Sequence, residues 1–328
     1  MKEKLNITND WDKTFEKSDK VNHKKVTFQN HFGITIVADM YEPKNYEGKI
    51  LAIAVAGPYG AVKEQCSGLY AMKMAEKGFL TIAFDPSYTG ESSGSPRYIS
   101  SPDINTEDYM AAVDYLRSLD NVDKDKISII GICGWGGIAL NTAAIDPRIK
   151  VTIVSTMYDM TRIASNGYFD EGDNEEARHN LRLDLANQRD EDYKNNEYKL
   201  AGGCLELPVP EDAPFFVKDY SEYYKGRAYH KRSLNSNGGW VIQNNTSWLN
   251  AKFLQYTNEI RNAVMIIHGD KAHSYYFGKD AYDNMIKDCN YKNNKVFETI
   301  PGAVHTDLYD NLDVIPFDKI EKFIKDNI

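Results

Sequence analysis

Residues 126–140 read KISIIGICGWGGIAL. A β-branched run ends at Ile132, glycines follow around Cys133 and Trp135, and the remainder has helical composition. Three readings compete for this turn. In the first, Gly131-Ile132-Cys133 opens a tight strand-to-helix elbow of the kind usually written G-x-S-x-G, with cysteine in place of serine. Free N–H groups at the start of the following helix favour a thiolate and can hold a developing oxyanion. In the second, the register moves by two and Trp135 sits at the apex, so the chain binds a small molecule without covalent chemistry. In the third, Gly134-Trp135-Gly136-Gly137-Ile138-Ala139 is a G-x-G-x-x-A dinucleotide loop. That loop lies far from the first strand, and no acid closes the next strand, IKVTIVST, where a ribose would need one. The apolar alternation stops at Ile132, which puts the turn at Cys133 and favours the first reading. Buried cysteines are more often small hydrophobes than nucleophiles; the strand–helix junction sets this one apart.

Outward from the turn, buried-strand patterns alternate with helices. Residues 24–43 read as two strands around a turn at His31–Gly33, and 49–57, 79–85, 149–156, 263–269 and 294–301 as further strands. Helices are expected after GPYG and ending near Gly78, over 105–119 opening at Asn105, over 134 onward, and at the C-terminus over 315–328. This order predicts an α/β fold, a mostly parallel, doubly wound sheet. The stretch from 159 to 250 breaks the pattern. It is first charged, then aromatic, with Tyr220, Tyr223, Tyr224, Tyr229, Trp240 and Trp248. The expected organisation is therefore a core of 1–158 and 251–328 with a cap at 159–250, over the sheet edge where α/β proteins bind ligands.

A cysteine nucleophile needs a base, and in this topology the base follows the last strand. His305 in NKVFETIPGAVHTDLYD holds that position. A carboxylate should orient the imidazole. Asp270, one residue after Gly269, is the first choice and Asp159 in STMYDMTR the rival. The oxyanion hole needs two N–H donors: Gly134, and Tyr59 or Gly60 from the loop after AIAVAG, since Pro58 has none. Glu64 reads as a partner for the thiol or His305, or as a first-turn helix acid. His273 is placed where it could touch substrate, and no metal site is expected.

The chain has 328 residues and a net charge of −9. Such an acidic chain repels phosphate backbones and anionic lipid, so neither nucleic acid nor membrane is an expected partner. Its 42% apolar and 27% charged residues suit a folded chain. Four separated cysteines without a CxxC pattern, no apolar leader and no long apolar run predict a reduced, cytoplasmic protein.

The motifs GPYGAVKEQCSGLYA, FDPSYTGESSGSPR, SPDINTEDY, GICGWGG, STMYDMTR, HGDKAHSYYF and GAVHTDLYD together resemble the dienelactone-hydrolase-like bacterial branch of the α/β-hydrolase superfamily. They are also similar to the fungal polyketide transferase family. The resemblance runs from about residue 20 to the end. It implies an eight-stranded α/β-hydrolase fold with an inserted helical cap, Cys133 as nucleophile in a G-x-C elbow and His305 as base. Trp135 replaces the elbow's usual glycine, and Ala272 stands where the acid usually lies. The indole reads either as a wall of the acyl pocket or as filler beneath the cap. The expectation is a cofactor-free hydrolase that cleaves an ester or thioester small-molecule acyl substrate through an acyl-enzyme. Acyl transfer on the same site and non-catalytic binding are the alternatives. The oligomeric state stays open, a homodimer included.

Overall fold

The computed structural model describes residues 5–328. Eight strands form one sheet: β1 Val21–Gln29, β2 Thr35–Pro43, β3 Ile50–Ala56, β4 Leu80–Phe84, β5 Val122–Ile132, β6 Ile149–Ser155, β7 Ala263–Gly269 and β8 Lys295–Ile300. Their order is β1-β2-β4-β3-β5-β6-β7-β8. β2 pairs antiparallel with both neighbours, and every other pairing is parallel. This is the mostly parallel α/β-hydrolase sheet expected.

The main helices of the core are α1 Cys66–Glu76, α2 Pro102–Ser118 and α3 Gly134–Ile145, then α8 Tyr275–Ile286, the short α9 Asp307–Asp310 and α10 Phe317–Asp326. In β3, Ile53 and Val55 pack with α1 and α10 residues such as Tyr70, Ile320 and Ile324. Ala52, Ala54 and Ala56 face the other way, among Ala112 and Val113 of α2 and Ile138 of α3. Alternate residues of one strand thus serve two cores. α2 starts three residues before Asn105. Ser101 caps it by accepting from the Ile104 N–H at 3.3 Å, and Pro102 takes the first turn, where a missing N–H costs nothing. Between β6 and β7 run α4 Met160–Asn166, α5 Glu175–Asn195, α6 Phe215–Ser221 and α7 Asn245–Trp248, with no sheet strand. No helix among the described residues is long and apolar enough to cross a membrane.

A buried ion network ties these parts together. Lys63 Nζ donates at 2.7 Å to Glu64 Oε1, Asp85 Oδ2 and Glu91 Oε2, and its side chain is fully buried. From the insertion, Arg232 reaches Glu64 at 2.7 Å and Asp12 at 2.8 Å. Lys25 of β1 pairs with Glu91 at 2.5 Å. Glu64, Asp85 and Glu91 bring carboxylate oxygens within 4.8 Å of one another, and the lysine ammonium is the cation on which they converge. Burial pushes Glu64 and Glu91 up, but Lys63, with Arg232 at Glu64 and Lys25 at Glu91, holds both below the usual carboxylate range. At Asp85 burial wins and its pKa is raised.

Lys63→Met strands these carboxylates. We expect it to cost about 3–5 kcal/mol at pH 7, read from the urea midpoint. Depressed folded-state pKa values at Glu64 and Glu91 stabilise the wild type above the unfolded value of about 4.3, and that contribution is lost below it, as pH falls toward the folded values. In Lys63→Met the same carboxyls keep the burial that raises them and lose the ammonium, so they protonate first, and the gap between wild type and variant should narrow as pH falls from 7. A gap that widens on acidification would refute this account of the cluster.

Candidate active site

β5 ends at Ile132, Cys133 takes φ 56° and ψ −126°, and α3 starts at Gly134. A positive φ at a non-glycine residue is strained and must be held by its surroundings. The Cys133 N–H donates to Ser155 O at 3.0 Å, and its carbonyl accepts from Gly136 and Tyr158, each at 2.9 Å. The flanking glycines are sterically required. A Cβ on Gly131 would lie 2.3 Å from Trp135 O, and one on Gly134 would lie 2.7 Å from both Met160 Sδ and Tyr59 Cβ. The apex is therefore Cys133, and the register with Trp135 at the crest is overturned.

Trp135 is also not a pocket wall. It is 1% exposed and packs edge-on against Phe84 and Tyr109, at 5.5 and 5.2 Å between ring centres. Two residues along a helix turn the side chain by about 200°. A sulfur at the turn apex and an indole two positions later face opposite ways.

Cys133 borders a cavity of about 270 Å³. Tyr158, Tyr168, Tyr220, Tyr224 and Tyr309 line it, together with a second thiol, Cys204. Burial pushes the Cys133 thiol up to about 11, while the Tyr309 hydroxyl and the N–H groups of Gly134 and Tyr59 act to favour the thiolate. The helix N-terminus alone thus does not ionise this cysteine; desolvation is the larger effect. The two N–H donors belong to Gly134 and to Tyr59 of the loop after β3, two of the positions the sequence singled out. Gly60 has another task. Its carbonyl accepts from Leu234 N at 2.8 Å, Asn235 N at 3.2 Å and Ser233 Oγ at 3.1 Å. A Cβ there would meet Asn235 Oδ1 at 2.3 Å. Asn235 Nδ2 also donates to Tyr59 O at 2.8 Å.

His305 is fully buried. Its Nε2 lies 3.0 Å from the Tyr309 hydroxyl, and Tyr309 in turn interacts with the Cys133 sulfur. Its Nδ1 lies 2.9 Å from Thr156 Oγ1 and 2.5 Å from Ser274 Oγ. Burial, then nearby His273 and His268, push its pKa well below the ordinary histidine value. A neutral imidazole is the form that can accept a proton.

Neither expected aspartate orients this ring. Asp159 Oδ1 caps α4, accepting from Thr161 N at 2.9 Å and Arg162 N at 3.2 Å. Asp270 Oδ1 accepts from Gly302 N at 2.7 Å, on the loop after β8. The hydroxyls of Thr156 and Ser274, not a carboxylate, stand at His305 Nδ1. Glu64 does not reach the site either, because Lys63 and Arg232 hold it in the ion network. His273 bonds the Tyr158 hydroxyl and stacks on Phe216 at 4.3 Å. It sits in the ring cluster beside His305 rather than on the cavity wall, with burial lowering its pKa to about 4. Sequence reasoning missed Tyr309, Thr156 and Ser274. Only Tyr309 left a signal: a four-residue spacing after His305, one helical turn.

Residues 33–277 match the X-Pro dipeptidyl-peptidase family (S15 family), and the chain belongs to it. Protein PA2218 of Pseudomonas aeruginosa is 48% identical over 99% of this chain and 86% of its own length. The PA2218 crystal structure superposes with a TM-score of 0.94 at 46% identity, covering 99% of this chain and 100% of that one. Polyketide transferase claH of Penicillium crustosum is 31% identical over 40% of this chain and 43% of its own. Thiohydrolase aneE of Aspergillus aculeatus is 33% identical over 31% of this chain and 32% of its own. The α/β hydrolase GrgF of Penicillium sp. sh18 shares the fold, with a TM-score of 0.73 at 16% identity over 93% of this chain and 99% of that one. The relatives with a stated activity are thus of hydrolase and acyltransferase type.

With a thiol near pH 11, about one Cys133 side chain in a thousand is ionised at pH 8. Its alkylation by iodoacetamide, followed by peptide mass analysis, should rise about tenfold per pH unit up to pH 10. Tyr309→Phe should slow it at every pH by removing a donor to the thiolate. A rate that levels off below pH 8 would contradict this.

Proposed function

We propose that this member of the S15 family is a cysteine-dependent hydrolase that opens an ester or thioester through an acyl-enzyme on Cys133. The observation that carries the reading is the strained apex at Cys133, with the N–H groups of Tyr59 and Gly134 and the Tyr309 hydroxyl at its sulfur. The G-x-C elbow, similar to that of dienelactone-hydrolase-like proteins, supports it too.

The sulfur attacks the carbonyl carbon, forming the S–C bond. The C=O electron pair moves onto oxygen, which the Tyr59 and Gly134 N–H groups hold. The thiol proton passes to the Tyr309 oxygen while Tyr309 gives its own proton to His305 Nε2. Thr156 and Ser274 oxygens steady the proton on Nδ1. Collapse of the adduct breaks the bond to the leaving oxygen or sulfur, which takes the proton back along the same path. Water then attacks the thioester carbonyl, its proton passing through Tyr309 to His305; collapse breaks the S–C bond, releases the carboxylic acid and returns the proton to the Cys133 sulfur. The hydroxyl partners of Nδ1 stabilise imidazolium less than a carboxylate would, so turnover should be slow beside a full triad.

The cavity suits esters better than peptides with a free amino terminus. No charged side chain lines it among the described residues, and a buried ammonium needs a carboxylate partner. The claH relative, a polyketide transferase, supports a second reading, in which an alcohol or amine takes the acyl group in place of water.

Mixing the protein with p-nitrophenyl butyrate and measuring intact mass after an acid quench should reveal a butyryl adduct. Cys133→Ala should lose both adduct and turnover. Full turnover in Cys133→Ala would overturn the nucleophile. A butyryl ester of an added alcohol, formed faster than free butyrate, would favour transfer. Tyr309→Phe should lower kcat about 10²-fold with little change in KM.

A further inference from the structure

A second cavity of about 500 Å³ adjoins the catalytic one. The two share Tyr59, Met160 and Ile163. The Tyr59 ring stacks on Trp240 at 4.5 Å and meets Trp248 edge-on at 5.9 Å. The far wall comes from the start of α5, at Ala177 and Leu181. No charged residue lines either space among the described residues, although charged residues make up 27% of the chain. Together the volumes fall within the roughly 300–1,000 Å³ of ordinary small-molecule sites.

The chemistry at Cys133 orients a substrate across these spaces. A leaving group must take its proton from the Tyr309–His305 pair, so it faces those residues. The oxyanion lies at the Tyr59 and Gly134 N–H groups. The acyl substituent is left with the remaining direction, toward Met160 and Tyr59, whose side chains border the second space. We infer that this space is the acyl-tail site, and that the substrates are esters or thioesters of long, uncharged, apolar acyl groups. The inference rests on the acyl-enzyme reading above. It adds the length and neutrality of the acyl group.

The test uses p-nitrophenyl esters from acetate to decanoate on the full chain. Each methylene that enters the chamber should raise kcat/KM about fourfold, until the chamber is full. Ala177→Trp fills the far wall and should lower the decanoate-to-acetate ratio at least tenfold; Leu181→Trp, a second variant, guards against misfolding of the first. A wild-type ratio near one, or a ratio unmoved in both variants, overturns the inference. Binding separates its failure from that of the catalytic reading. In Cys133→Ala protein, decanol should quench fluorescence of the chamber tryptophans at lower concentration than butanol, and Ala177→Trp should abolish the difference. If no ester turns over yet decanol binds in this way, the acyl-enzyme fails and the tail site stands. If esters turn over and decanol binds no better than butanol, the tail site fails alone.

Discussion

Lys63 is the residue on which the working arrangement of this protein depends. Its ammonium lies 2.7 Å from three carboxylates. These carboxylates reach in different directions: Glu64 to Arg232 in the insertion, and Glu91 to Lys25 in β1. Asp85 follows β4 directly and accepts from the Lys63 backbone N–H at 2.9 Å. Lys63 follows the 58–60 loop by three residues, so the network anchors the segment that presents Tyr59 to the sulfur. Buried ion clusters contribute little net stability against an apolar replacement, but breaking one is expensive. Here the geometry that the cluster enforces is the more telling contribution: one ammonium locates the first strand, the 58–60 loop and the insertion relative to one another.

Much of the fold was legible because periodicity reports burial directly. The runs at 49–57, 79–85 and 263–269 fall on β3, β4 and β7 because central strands are apolar on both faces. The elbow was legible for the same reason: the alternation stops where the backbone must reverse. Boundaries set by caps were read less well. Ser101 and Pro102 start α2 earlier than the acidic run after Asn105 suggested. The carboxylate expected beside His305 was misplaced because local sequence does not tell where a loop carboxylate points. Asp159 is drawn to the free N–H groups of α4 and Asp270 to Gly302. The hydroxyls that do meet His305, on Thr156 and Ser274, belong to residue types too common to stand out.

Trp135 carries a different lesson. A bulky residue inside a glycine turn invites a functional explanation. Helical geometry supplies a plainer one, since the second residue after the apex must face the α2 side, and Phe84 and Tyr109 leave an aromatic-sized space there. The neighbouring glycines are constrained by Met160, Tyr59 and the Trp135 backbone. The indole and the small residues around it therefore answer to packing, and Cys133 alone of the turn borders the cavity.

The triple hold on the Gly60 carbonyl by residues 233–235 bears on how such a scaffold can diversify. A lid that merely covered a finished centre could be trimmed, lengthened or exchanged to admit new molecules. Here the same short stretch that borders the cavity through Asn235 also holds the Tyr59–Gly60 loop from behind. Changes to the insertion therefore reach the cavity wall and the loop beside Cys133 at once. A designer wishing to graft another roof onto this core would need to carry Ser233, Leu234 and Asn235 along as part of the machinery beneath.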